Sequence, residues 1–419
     1  MAPGTAVPRV GDGKVNAMAE TRPGTEGAGT TALVLLLFVS TLTVMAGAIL
    51  TPVVAVLREV LDLSGTQAGL VITTHALVIA VASPLVGWCV DRWGYRVPLA
   101  AGLLVYGVAG GAGLVTESYP ALIATRVLFG FGATAVFTGS TVAMLALYRG
   151  RSRDRAMGWR SAAISAGGVL WPLAGGALGT LSWQAPFAVY LVGVPLGVAL
   201  LVLLPTPPAS DEVSNGASPL RVLRRPSTLG FSVLMVTTSA LLYALVVFIP
   251  QRLAEVGVTS PLVVSLFPVT WSAGIALVGL GYARLKRRLG YAALLRVWAA
   301  TSAAAFLILG VTSEVALMWL AVGVFGLGLG IAIPALTVLI GESAPPELRG
   351  QAVALLTTAT FGGQVLAPLL LGPVMDATAI TTGYLGIAAL STMILAVVWA
   401  ARIPDPAVAA GAPTSTTHR

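Results

Sequence analysis

The chain has 419 residues, of which 57% are hydrophobic and only 10% charged, with a mean hydropathy of +0.91. A soluble domain carries about 25% charged residues, so these values exclude one and require a polytopic membrane protein. The net charge of +8 sits mostly in the tails and alternate connections, which argues against a nucleic-acid surface, and Cys89 as sole cysteine excludes an intrachain disulfide or a cysteine-based metal site.

A spanning helix needs about 20 mostly apolar residues. Residues 1–30 mix Gly, Pro, Thr and charges without an apolar core, so they are expected to form a disordered cytoplasmic tail and not a signal peptide. The first span is predicted from about Thr31 to Leu57, with Pro52 near its outer end, where neighbouring helices can satisfy the freed backbone groups. After Arg58, Glu59 and Asp62 the second span starts near Leu63 to Gln67, with Ser64 or Thr66 as N-cap. No charge interrupts it as far as Val90, and it contains His75, whose ring titrates in a useful range. Proton coupling and plain packing as a hydrogen-bonded core residue are both open for His75. A tight hairpin turn, Gly87 to Arg96, then leads to a third span over about Val97 to Thr116. Asp91, Arg92 and Arg96 mark a membrane surface, because each such charge costs roughly 2.5 to 3.5 kcal/mol in hydrocarbon.

The fourth span, about Tyr119 to Leu147, holds Arg126 followed by Gly130 and Gly132. A cation inside a span is a candidate proton relay or substrate ligand, and snorkelling to the outer interface is its other reading. A basic connection, Tyr148 to Gly158, precedes a fifth span from about Met157 to Leu181 with Gly167, Pro172, Gly175 and Gly176. Small residues let helices approach closely and Pro172 lets this one bend. The sixth span ends near Leu204, and residues 205–228 read as a Pro-, Ser- and Gly-containing cytoplasmic linker. It separates residues 31–204 from residues 229–402, with residues 403–419 as a cytoplasmic tail.

The two parts look like repeats, since Gly94 and Gly290, Pro172 and Pro368, and Gly176 and Gly372 all lie 196 residues apart. Arg287 stands where Asp91 would map. Among basic residues only Arg58 and Arg252 lie in the connections facing the others, an asymmetry that places both termini in the cytoplasm. No Asp or Glu falls inside a predicted span; Glu59, Asp62, Glu117, Glu314 and Asp376 lie at outer ends. The polar groups left within the spans are Ser and Thr, Tyr243, Gln364 and tryptophans such as Trp271 and Trp298. A cavity built from these suits an apolar or amphipathic molecule.

The turn formed by Gly87, Asp91, Arg92, Gly94 and Arg96 resembles the signature loop between the second and third helices of the major facilitator superfamily. Arg126 with Gly130 and Gly132 is similar to its fourth-helix motif, and Ala48 to Pro52 resembles a first-helix pattern of its drug-efflux members. Gly167, Pro172, Gly175 and Gly176 resemble its antiporter motif, with Trp171 in place of the second glycine. Generic small-residue packing is the other reading of that last set. The resemblance covers residues 31–402 and points to the drug:proton antiporter branch.

It implies an all-α polytopic fold of about twelve transmembrane helices in two pseudo-symmetric six-helix halves, with a midplane substrate site and rocking-type alternating access. It also implies that Asp91 faces the start of the eleventh helix near Gly350, latching the halves when the cavity opens outward. The acid that often partners Arg96 is missing, because Ala146, Leu147 and Tyr148 occupy that place. The expected function is secondary active export of a small lipophilic or amphipathic compound across the cytoplasmic membrane in exchange for protons. A monomer driven by the proton gradient, with no cofactor, metal, nucleic acid or enzymatic chemistry, is expected. Uptake of a metabolite on the same fold, or a non-transporting receptor, are the alternatives.

Overall fold

The computed structural model describes the backbone of residues 25–205, 225–343 and 349–401, with side chains from residue 29 except at 349, 350 and 353. The expected C-terminal tail and most of the N-terminal tail and linker lie outside the described residues, and the last residues of the expected linker, from Pro226, already belong to a helix. Helix α1 spans Thr25–Ala48, so it begins inside the segment expected to be a tail. A 3-10 turn at Thr51–Val53, opened by Pro52, joins it to α2, Val54–Val60. The others are α3 Gly65–Trp93, α4 Arg96–Gly111, α5 Tyr119–Leu147, α6 Gly150–Gly179, α7 Gly193–Leu203, α8 Pro226–Glu255, α9 Pro261–Val311, α10 Val315–Ser343, α11 Arg349–Ala377 and α12 Ile380–Ala400. A 3-10 segment, Ala185–Val192, opens the sixth crossing.

Eleven of these stretches are long and apolar enough to cross a membrane. At about 1.5 Å per residue, α9 with its 51 residues is far longer than one bilayer. It breaks at Gly290, whose φ of 69° and ψ of 169° lie outside the helical region, and so makes two crossings. Gly94, between α3 and α4, has φ 72° and ψ 168°. The two glycines thus hold one conformation that a side chain would strain, at the positions that the repeat pairs.

The signature turn is shorter than its sequence suggests. Gly87, Asp91 and Arg92 belong to α3, Arg96 opens α4, and only Gly94 and Tyr95 lie between the two helices. The correction has a local cause: the chain needs one glycine to reverse, and polar groups at a helix end already reach the interface. Likewise the basic connection after α5 is mostly helical, because α6 starts at Gly150 and carries Arg151, Arg153 and Arg155 in its opening turns. Ser64 is the N-cap of α3: its hydroxyl accepts from the Gln67 amide at 3.1 Å, and the Gln67 side chain accepts from the Ser64 amide at 2.9 Å. Two otherwise orphaned donors are satisfied reciprocally.

Helices α1 to α7 pack as one half and α8 to α12 as the other. The halves meet chiefly where α3 crosses α11 and where α9 crosses α6. Arg151, Arg153 and Arg155, with Arg284 and Arg287, define a basic face; Arg58, Gln251 and Asp376 lie at the opposite one.

Candidate functional site

The contacts joining the halves concentrate towards the Asp376 face. The Asp376 carboxylate, near the end of α11, accepts from the backbone amides of Gly65 at 2.8 Å and Thr66 at 3.1 Å, and from the Thr66 hydroxyl at 3.0 Å. It therefore caps α3 across the interface, where the helix dipole favours a negative charge. Arg58 stands 3.7 Å from the same carboxylate and donates to the Gln251 side chain at 2.7 Å. At the second crossing, Ser272 donates to the Gly168 carbonyl at 3.0 Å. Glycine makes both crossings close. A Cβ on Gly176 would lie 2.6 Å from Ser265 Cβ, and one on Gly372 would lie 2.9 Å from Thr66 Cα.

Towards the basic face the helices are much less covered. Helix α3 is buried along most of Gly65 to Ile79, yet Val81, Pro84, Leu85, Trp88, Asp91, Arg92 and Trp93 are exposed. The opening turns of α6 and the stretch of α9 before Gly290 are exposed in the same way. Asp91 has neither a hydrogen bond nor an ion pair, so the latch expected from the sequence is not engaged in this conformation. Arg96 turns to the Leu201 carbonyl at the end of α7.

Between the two faces lies a cavity of about 270 Å³, walled by both halves. Thr51, His75 and Phe137 face it from the first half, and Tyr243, Trp271 and Gln364 from the second. Three of the four candidate coupling or substrate residues, His75, Tyr243 and Gln364, thus meet at one place, although 289 positions separate His75 from Gln364. Gly47 makes room for two of them: a Cβ there would lie 3.2 Å from the Tyr243 hydroxyl and 3.5 Å from His75 Cε1. His75 is 2% exposed and Gln364 8%, and neither His75 Nδ1 nor the Gln364 amide oxygen has a hydrogen-bond partner. Phe137 and Phe361 face each other across the halves edge to face, 5.3 Å apart.

Arg126, the fourth candidate, does not line the cavity. It does not snorkel either, being fully buried in the first half. Its guanidinium carbon lies 4.6 Å from the centre of the Phe129 ring and 5.1 Å from those of Phe187 and Tyr190, and Nη2 donates to the Gly110 carbonyl at 2.9 Å. Ring faces stabilise a desolvated cation by about 2 kcal/mol or more, which explains how the charge is tolerated without an acid. The Tyr106 and Tyr190 hydroxyls, each at 2.9 Å from a carbonyl of α1, fasten this cluster to that helix. Phe129 joins it to the cavity, because His75 stacks edge-on against the same ring at 5.8 Å.

Of the fifth-crossing motif, Pro172 reaches the cavity, Gly175 packs on the Ile49 carbonyl, Gly176 packs on α9, and Gly167 packs on Thr41 and Trp171. Trp171 does not hold the halves apart. Its indole donates to the Thr41 carbonyl at 3.0 Å and so ties α6 to α1 within one half. Trp298 is buried away from the cavity, in the core of the second half. The sequence reading missed the capping role of Asp376 and its neighbours Arg58 and Gln251, and the facing rings of Phe137 and Phe361. The available signal was an acid four residues beyond Gly372, opposite a helix start. A larger groove, about 620 Å³ between the start of α8 and the end of α12, is lined by apolar side chains, Gly230 and Ser227 and offers no titratable group.

The sequence matches the model of the Major Facilitator Superfamily over residues 36–368. It is 26% identical over 336 residues to multidrug resistance protein 1 of Bacillus subtilis (strain 168), covering 78% of this chain and 85% of that protein. It is 28% identical over 152 residues to the quinolone resistance protein NorA of Staphylococcus aureus, covering 36% and 38%. Among solved structures, the fold matches the nucleoside transporter NupG with a TM-score of 0.75 at 14% identity, covering 88% of this chain and 99% of that one. It matches a bacterial homologue of the lysosomal transporter Spinster, inward-facing and unoccupied, with a TM-score of 0.73 at 16% identity, covering 90% and 96%.

Proposed function

Because the chain belongs to the major facilitator superfamily, it is a transporter and not an enzyme, and we propose that it exports small lipophilic or amphipathic compounds across the cytoplasmic membrane. The carrying observation is the cavity between the halves, parted at one face and clasped at the other. Its walls are largely aromatic and aliphatic, with His75, Tyr243 and Gln364 as convergent polar groups. Such a site takes up an apolar body and orients one polar head. The positive-inside rule makes the basic face cytoplasmic, with both termini on that side, so the conformation described here is loaded from the cell interior.

Release to the outside requires the Asp376 clasp to open and the basic face to close. In that state Asp91 comes to the start of α11 and latches it, a differential contact of the kind that moves a two-state equilibrium. Similarity to relatives whose names specify multidrug and quinolone resistance supports this direction. The proton gradient is the energy source, with no cofactor, and His75, buried on the cavity wall, is the coupling candidate. A single chain contains the whole path.

The test is accumulation of neutral, anionic and cationic fluorescent dyes in cells making the chain or Asp91→Asn, with and without a protonophore. Expression should lower accumulation of at least one class, and both the substitution and the collapsed gradient should restore it. Accumulation that rises with expression would overturn export in favour of uptake.

A further inference from the structure

We propose that the cavity selects anionic amphiphiles and discriminates against lipophilic cations; this rests on the reading of the cavity as the transport site. The first observation is the placement of charge. Each of the nine described carboxylates, Glu59, Asp62, Asp91, Glu117, Asp154, Glu255, Glu314, Glu342 and Asp376, lies within about a turn and a half of a helix end or in a connection. The ion pairs among the described residues, Arg58 with Asp376 and Arg252 with Glu255, lie at the face opposite the basic one. No described acid is therefore available at the depth of the cavity to neutralise a bound cation.

The second observation is Arg126. It is fully buried, its Nε and Nη1 have no hydrogen-bond partner, and the Phe129 ring that it stacks on is the ring that His75 contacts at the cavity wall. A charge screened by ring faces and low-dielectric protein keeps its field over this distance, whereas in water it would not. The wall is thus electropositive although it is built of neutral groups. Converging on it are the Tyr243 hydroxyl and the Gln364 amide, with His75 buried and unpartnered at Nδ1. Hydrogen-bond donors from these groups would meet an anionic head, while Phe137, Phe361 and Trp271 cover its apolar body. The exposed arginines of α6 and of the stretch of α9 before Gly290 make the less covered face basic, which raises the local concentration of anions there. An anion leaving a cell with a negative interior also moves down the membrane potential.

The probes are 2-naphthalenesulfonate and 2-naphthyltrimethylammonium, which share a ring system and a head of similar size but opposite charge. Their binding to the full chain in detergent is measured by isothermal titration calorimetry. Wild type should bind the sulfonate at least about tenfold more tightly, the size expected from one uncompensated charge at low dielectric. Gln364→Glu, which adds a carboxylate to the wall, should reverse that order. Arg126→Gln should lower the ratio about tenfold, and Arg126→Lys should keep it. Equal or tighter binding of the ammonium to wild type, binding of neither ion, or a ratio that Gln364→Glu leaves unchanged would overturn the proposal. The two readings fail separately. Extrusion of cationic dyes together with preferred ammonium binding would leave export standing and remove charge selection. Preferred sulfonate binding without any extrusion would do the opposite.

Discussion

The two crossings that join the halves are related by the 196-residue repeat, yet they are held in different ways. Where α3 meets α11, a carboxylate caps a helix across the interface through Gly65 and Thr66. Where α9 meets α6, the position equivalent to Asp376 is Thr180, whose hydroxyl bonds within its own helix to the Ala177 carbonyl. The partner helix there begins at Pro261, which has no N–H to offer. Small residues and the Ser272 bond do the holding instead. Asp91 has the same singular status at the other end of α3, since Arg287 takes its place in α9. One crossing therefore carries an acid at each of these two positions, where its counterpart carries Thr180 and Arg287. Close packing at glycines is common to both crossings, while the acids at these two positions belong to a single helix pair.

The strongest way to break this comparison is to attack what the crossings share. Gly176→Val and Gly372→Val each drive a side chain into the facing helix, and overpacking of this kind costs about 1 to 3 kcal/mol, more where backbone stands in the way. Because the clash exists only when the Asp376 face is closed, both should cut transport by roughly tenfold or more. Both should also make a cysteine placed at Thr51 reactive to an impermeant thiol reagent from outside, in a chain lacking Cys89. Unchanged reactivity would mean that these glycines do not set the closure.

The next effect separates the crossings. Asp376→Ala removes three hydrogen bonds and a charge at a helix start, together about 1 to 2 kcal/mol after allowance for its partial exposure, or a 5- to 30-fold shift toward the open Asp376 face. Arg58→Gln should do much less, since a half-exposed pair contributes at most about 1 kcal/mol. The smallest effect sharpens the comparison. Thr180→Asp alone should change little, because Pro261 gives it no donor, whereas Thr180→Asp with Pro261→Gly should build a second cap. That double variant is expected to bias the chain toward the closed Asp376 face by roughly fivefold, the worth of about 1 kcal/mol. An equal effect from the single and double variants would show that the missing amide is not the reason for the asymmetry.

Much of the fold was legible because hydrocarbon imposes one rule at every position. Spans of uncharged residues placed the crossings of the first half, and the common offset carried the pattern into the second, including the reversal at Gly290 inside an otherwise continuous helix. Boundaries near the membrane surface were less legible. Residues such as Asp91 and Arg151 are as much at home in the last turn of a helix as in a loop, and composition does not separate the two. At the site, the types of His75, Tyr243 and Gln364 marked them as rare polar groups in apolar surroundings. Arg126 was equally marked, and its environment was not: Phe129 on its own helix is joined by Phe187 and Tyr190 from the 3-10 segment Ala185–Val192.

What the sequence determined by itself was the class of solvent and its consequences: a helical membrane bundle, its repeat, the side that carries positive charge, and the short roster of polar groups within the spans. These follow from transfer energies, which act residue by residue and need no partner. Only the tertiary structure decided that three of those groups share a cavity, that Arg126 stands one ring behind it, and that Asp376 closes one face while Asp91 waits unpaired at the other. Those outcomes depend on which helices touch and at what height. Pairing of that kind is set by close packing between residues hundreds of positions apart, and no single segment encodes it.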